Sequence, residues 1–237
     1  MPLHIGIVAC SAEGASLCYR TICAEGERLL GPLAHPEVSM HAQSLADYVV
    51  CLERGDMSGV AELMLSSARK LAAAGAHFLI CPDNTIHQAF ARVEANSPLP
   101  WLHIADVGAA QAAKCGYARL GLSGTRWLVE SEVYPETLAA RSLAWARPNA
   151  TERDEINRII MDELVRGVFR PEAIACFQRV FARLKAEGCD AVVLGCTEIP
   201  LIMNDANSPL PTLDSTRLLA RAALAHATGA AEKRREA

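Results

Sequence analysis

The chain has 237 residues, a formal net charge of −4 and 51% apolar side chains, enough for one large domain or two small ones with a real core. The mild acidity excludes the basic face that nucleic acid or an anionic membrane would require, so neither is expected as a partner. No apolar run approaches the roughly 18 residues of a membrane-spanning helix.

The first segment, Met1-Pro2-Leu3-His4 followed by Ile5-Gly6-Ile7-Val8-Ala9-Cys10, has no basic lead and reads as a strand. The cytoplasm is therefore the expected compartment. Nine cysteines stand at 10, 18, 23, 51, 81, 115, 176, 189 and 196, an odd number without a CxxC pair. They read as reduced, mostly buried small side chains rather than a disulfide framework.

Further along, Ser58 to Ala74 places Val60, Leu63, Met64, Ala68 and Leu71 at helical spacing, and Gly75 stops that helix. The apolar run Ala76 to Ile80 predicts a strand that delivers Cys81-Pro82-Asp83-Asn84-Thr85 to its end. Trp101 to Ile104 is a further apolar stretch, in which His103 reads as a buried, satisfied histidine. A strand is predicted at Leu120 to Thr125. Helices follow at Thr151 to Gly167, with Thr151 as N-cap, and at Glu172 to Gly188. The run Ala191 to Leu194 leads into Gly195-Cys196-Thr197-Glu198. A last helix is expected from Thr216 to about Thr228, and the charged residues 231–237 read as a frayed tail.

The chain repeats itself. Ser97-Pro98-Leu99-Pro100 recurs as Ser208-Pro209-Leu210-Pro211, Leu71 to Ile80 matches Leu184 to Val193, and Ile5 to Cys10 resembles Leu120 to Thr125. The offsets are 111, 113 and 115 residues. Strand–helix alternation within each copy predicts an α/β fold of two pseudo-symmetric parallel-sheet halves, residues 1–113 with 216–237 and residues 114–215. Ligands in such sheets bind beyond the carboxyl ends of the strands. Aligning Gly75 with Gly188 makes Asp83 the counterpart of Cys196 and Asn84 that of Thr197, while Cys81 falls inside the strand. Two proton-transfer groups on matching strand ends suit removing a proton from one face of a carbon and returning one to the other.

The motif Gly195-Cys196-Thr197-Glu198-Ile199-Pro200-Leu201 resembles the second cysteine motif of the aspartate/glutamate racemase superfamily, and Asp83-Asn84-Thr85-Ile86-His87 resembles its first, with Asp83 in place of the first cysteine. The likeness also takes in Ala9 to Ser16, Leu102 to Asp106, Gly121 to Thr125 and Asp214-Ser215-Thr216. It implies flavodoxin-like (Rossmann-like) halves with the active site in the cleft between them, no pyridoxal phosphate or other cofactor, no metal, and frequent dimers, so a homodimer is expected. The histidines at 77, 87 and 103 have no ligand spacing either.

Cys196 and Asp83 are thus the candidate catalytic pair. A helix starting after Cys196 would lower the pKa of its thiol. Asn84, Thr85, Thr197, Ser123, Thr125 and Ser11 are candidates for binding a substrate carboxylate, since hydroxyls and main-chain N–H groups at strand-to-helix turns suit an anion. Glu198 and His87 are expected to orient Thr197 and the first motif. The family's arginine for a distal carboxylate has no counterpart between His41 and Val50, where Asp47-Tyr48 stands, and Leu128 and Leu219 replace a threonine and a histidine. These departures argue against aspartate or glutamate as substrate. The expected activity is racemisation or epimerisation next to a carboxylate. The alternatives are a single-cysteine decarboxylase of a substituted malonate, a cis–trans isomerase of a small diacid, and a non-catalytic carboxylate-binding module.

Overall fold

A computed structural model describes residues 1–230; the expected tail at 231–237 lies outside them. The chain divides into two compact units, Met1–Ile104 with the segment from Thr216 onward, and Ala105–Ser215. Among the described residues no helix is long and apolar enough to cross a membrane.

The first unit runs β1 (Ile5–Ala9), α1 (Ala12–Leu30), β2 (Val38–Ala42), α2 (Leu45–Glu53), α3 (Met57–Ala73), β3 (Phe78–Ile80), a 3-10 turn at Thr85–Ala89, α4 (Phe90–Asn96) and β4 (Trp101–Leu102). Its four strands are parallel, in the order β2-β1-β3-β4. β1 and β3 are buried throughout, as central strands covered on both faces must be, whereas edge strand β2 is not.

The chain then passes through α5 (Ile104–Lys114) into β5 (Arg119–Ser123), α6 (Arg126–Val129), α7 (Val133–Ala139), β6 (Ala144–Ala146), α8 (Ala150–Arg158), α9 (Pro171–Ala186), β7 (Ala191–Leu194) and β8 (Thr212–Asp214). This second sheet is also parallel and four-stranded, in the order β6-β5-β7-β8. Pro171 opens α9, whose stripe Ala173, Cys176, Phe177, Val180, Phe181 and Leu184 is buried against the sheet core. The last helix, α10 (Ser215–Thr228), returns the chain to the first unit.

The duplication extends to residue-level register. Ile5↔Phe78, Gly6↔Leu79 and Ile7↔Ile80 in the first sheet recur as Leu120↔Ala191, Gly121↔Val192 and Leu122↔Val193 in the second. Ile80↔Leu102 likewise recurs as Val193↔Leu213. The two sheets therefore carry the same pairing at the offsets the sequence repeat gives.

Two helix expectations are corrected. Thr151 is not an N-cap: Asn149 caps α8, its Oδ1 accepting the Glu152 N–H at 3.0 Å while Glu152 Oε2 accepts the Asn149 N–H at 2.9 Å. A reciprocal capping box satisfies two orphan donors, which a threonine two residues later does not. Nor does one α-helix continue to Gly167. It widens into a π turn at Ile159–Glu163 and tightens into a 3-10 turn at Leu164–Arg166, around a buried Glu163 that accepts from Arg158 at 2.7 Å.

Asn149→Ala should lower the unfolding free energy by about 1 kcal/mol, and Thr151→Ala by less than about 0.5 kcal/mol as an ordinary surface change. Urea denaturation of the two variants checks this ordering.

Candidate active site

The switch point of each sheet, where successive crossovers diverge, lies between its first and third strands, and ligands of open α/β sheets bind at such points. In the second unit these strands are β5 and β7. Gly195 N–H donates to the Ser123 carbonyl at 2.9 Å, and Ser123 Oγ donates to the Val193 carbonyl at 2.7 Å. The approach is close enough to require a glycine, because a Cβ at Gly195 would stand 2.6 Å from Ser123 O and 2.5 Å from Leu128 Cδ2. Ser123 was expected to meet substrate, but it is buried with its hydroxyl proton committed to Val193 and acts as a clamp between the two strands.

Beyond that clamp Cys196 Sγ lies 2.9 Å from Glu198 Oε2, and Thr197 Oγ1 donates to the same oxygen at 2.8 Å. All three residues are buried, so these contacts act in a low dielectric. The helix expected after Cys196 is absent. A three-residue 3-10 turn, Ile199–Leu201, follows instead. Glu198, expected only to orient Thr197, thus meets the thiol as well. Thr125 caps the short α6, its Oγ1 accepting the Leu128 N–H at 3.3 Å.

In the first unit Asp83 stands half-buried past the end of β3. Its Oδ1 accepts the Ile86 N–H at 3.1 Å and its carbonyl accepts His87 Nδ1–H at 2.6 Å. Asn84 and Thr85 are buried in the same turn. His87 Nε2 is buried without a hydrogen-bond partner, and its ring stacks on Phe90 at 5.4 Å. Burial, then the neighbouring His103 ring, pushes the His87 pKa down to about 3. His103, expected to be buried, is half-buried on the two-residue edge strand side and meets His87 edge-on at 4.7 Å. Ser11 caps α1, with Oγ accepting the Gly14 N–H at 3.2 Å. Cys81 is fully buried, and desolvation followed by the charge of Asp83 raises its thiol well above the ordinary value.

Tyr48 lies in the stretch that has no arginine. Tyr48 is fully buried on α2, and its hydroxyl makes no hydrogen bond of ordinary geometry; Ser67 Oγ, nearby, contacts His41 Nδ1 at 3.0 Å instead. Burial, then Cys81, Cys10 and Asp83, raise its pKa above the usual tyrosine range. The helical spacing of Tyr48 and Leu52, one turn apart, was the available signal for an inward-facing phenol. Among the described residues no group of three metal-ligating side chains comes together.

A duplicated parallel α/β chain with ionisable side chains past matching strand ends defines the class of protein. The family model described as Asp/Glu/Hydantoin racemase matches residues 7–223, and the chain belongs to that family. It is similar to a candidate Asp/Glu racemase of known structure from Yersinia pestis, at 31% identity and a TM-score of 0.87 over 95% of this chain and 99% of that one. A glutamate racemase of Symbiobacterium thermophilum is 32% identical over 105 residues, which are 44% of this chain and only 36% of that protein. The broad specificity amino-acid racemase RacX of Bacillus subtilis is 21% identical over 70% of this chain and 71% of its own length.

Gly195→Ala should cost about 1–3 kcal/mol through overpacking against main chain, read as a lower urea midpoint. His87 should stay neutral from pH 8 to about 4 by NMR. A histidine held neutral by folding stabilises fully above its unfolded pKa near 6.5, and this contribution is lost as pH falls toward about 3. A His87 midpoint near 6.5 would show the ring to be solvated instead.

Proposed function

We propose that this protein is a cofactor-independent amino-acid racemase or epimerase, working as a homodimer without a metal, with Asp83 and Cys196 as its acid/base pair. The Asp83 carboxylate takes the α-hydrogen from one face of the substrate, and the electron pair moves into the substrate carboxylate as an enolate. The Cys196 thiol then gives its proton to the other face. Glu198 accepts from both Cys196 and Thr197. In the reverse direction Glu198, 2.9 Å from the sulfur, accepts the proton that the sulfur must lose. The turns carrying Ser11, Asn84, Thr85, Thr125 and Thr197 are the anchors for the substrate's α-carboxylate.

What carries the reading is the Cys196–Glu198 contact of 2.9 Å, one residue past a clamp whose register matches that leading to Asp83. Family membership supports the reaction class. The substrate we favour is a neutral amino acid rather than aspartate or glutamate, since Tyr48 stands where a distal carboxylate would need a cation, and the likeness to a broad-specificity racemase agrees with this.

The test is α-hydrogen exchange in deuterated water across a panel of L- and D-amino acids. Wild-type protein should incorporate deuterium with inversion. Cys196→Ala and Asp83→Asn should each lose at least 100-fold in turnover while staying folded, the scale of a lost general acid or base. Near wild-type turnover by Asp83→Asn would reduce Asp83 to a turn residue and leave a single-thiol reaction. Glu198→Gln should lower kcat/KM equally for the two enantiomers, because racemisation has an equilibrium constant of one.

A further inference from the structure

The Ser123 clamp has a second half. Along a strand, successive carbonyls point to opposite neighbours. The Val193 carbonyl accepts the Ser123 hydroxyl at 2.7 Å from the β5 side, and the Leu194 carbonyl accepts the Ser215 hydroxyl at 2.9 Å from the β8 side. Gly195 N–H then returns to the Ser123 carbonyl at 2.9 Å. The three residues before Cys196 are thus held from both flanks, by two serines each only 1% exposed.

The duplicated fold supplies its own control. In the first unit the ladders on the two sides of the third strand end at Ile7↔Ile80 and Ile80↔Leu102. In the second they run one pair further on both sides, to Ser123↔Leu194 and Leu194↔Asp214. One residue past Ile7, where the second unit has Ser123, stands Val8; two past Leu102, where it has Ser215, stands Ile104. Ile104 opens α5 as Ser215 opens α10, and both Val8 and Ile104 are fully buried. A four-stranded parallel sheet of this pattern therefore forms without either hydroxyl. Burying a hydroxyl carries a desolvation cost that its hydrogen bond repays only modestly, so stability gives no reason for the serines in one unit alone.

Resting on the racemase reading above, we propose that Ser123 and Ser215 are positioning residues of the reaction, extending β7 by one pair and so fixing where the Cys196 sulfur stands. Their hydroxyls hold the Val193 and Leu194 carbonyls, and that stretch of backbone delivers the turn in which the sulfur lies 2.9 Å from Glu198. A sulfur that must hand a proton to one face of a carbon tolerates little displacement, since about 1 Å of misplacement can cost about 100-fold in rate. Asp83 is anchored differently: its Oδ1 accepts the Ile86 N–H at 3.1 Å within its own turn. A thiol is too weak an acceptor to be held that way.

Two measurements test this on the intact protein, with Ser123→Ala and Ser215→Ala as the clamp variants and Ser208→Ala as the control. Ser208 also donates to a carbonyl, that of Leu210 at 2.6 Å, but before the start of β8 rather than beyond its end. All three are checked for folding by circular dichroism. In deuterated water, with the amino acid that wild type racemises fastest, each clamp variant should lose at least about 10-fold in racemisation. The enantiomer whose α-hydrogen faces Asp83 should still exchange it, and because delivery from the sulfur is what slows, its deuterium should enter with retention rather than inversion. A purely structural role would lower retention and inversion alike, and Ser208→Ala should lower neither. Near wild-type racemisation by a folded Ser215→Ala, or equal losses of retention and inversion, overturns the proposal and leaves the Asp83–Cys196 reading intact.

The second measurement reads the sulfur without turnover. Iodoacetamide labelling at neutral pH, mapped by mass spectrometry, should modify Cys196 several-fold faster in each clamp variant than in wild type, because the turn that buries it opens more often. The Cys81 rate should stay the same, as should the Cys196 rate in Ser208→Ala. An unchanged or slower Cys196 rate in Ser215→Ala overturns the proposal. No exchange by wild type on any amino acid would sink the racemase reading instead, and the labelling would still decide whether the two serines hold the sulfur.

Discussion

In each unit the parallel ladder between the first and third strands fixes what stands past their ends. Parallel pairing fixes which residues lie level along the two strands, and so which residues each strand delivers to its carboxyl end. Because Ile7↔Ile80 and Leu122↔Val193 are equivalent, Ala9 and Pro82 correspond to Gly124 and Gly195, and Asp83 and Cys196 are the residues that follow the third strand's copy in each unit. The second unit adds the Ser123 clamp, with hydrogen bonds of 2.9 and 2.7 Å across β5 and β7. This clamp leaves room only for glycine before Cys196.

What the register places, local electrostatics then differentiates. Cys196 and Cys81 are both buried thiols, yet Cys81 has a wholly buried surround that disfavours its thiolate, whereas Cys196 has a carboxylate oxygen at 2.9 Å that can exchange a proton with it. His87 is the counterpart of a scaffold bolt: its Nδ1–H holds the Asp83 carbonyl and burial keeps the ring uncharged. It can therefore shape the first motif without adding a titrating charge beside Asp83 over the neutral range.

Much of this was legible in the sequence, because the signals were local and occurred twice. Glycine after an amphipathic run marks a helix end whatever the tertiary context, and the two Ser-Pro-Leu-Pro segments pin the offset of the copies. That is why the two sheets, and Asp83 as the sequence counterpart of Cys196, are legible in the amino-acid sequence alone. What escaped depends on pairings that periodicity does not encode. Asn149 outcompeted Thr151 because a cap is chosen by the reciprocal bond with Glu152, not by hydroxyl propensity alone. The turn after Cys196 is 3-10 rather than helical, which no spacing of Thr197, Glu198 and Ile199 announces. The burial of Tyr48 follows only from the face of α2 that turns inward.

The last helix has a consequence for how the protein is made. α10 buries Leu219, Ala220, Ala223, Leu224 and Ala227, and its Arg221 pairs with Glu25 of α1 at 2.8 Å. The Ala227 carbonyl accepts the Leu3 N–H at 2.8 Å, and His226 packs edge-on against Phe78 at 4.6 Å. All of these partners lie in the first unit. On the ribosome the second unit is complete once Ser215 has emerged, whereas the first, although begun earlier, waits for its final helix with the apolar surface that α10 will cover still open to solvent. The unit that is begun first is thus the last to have all of its chain.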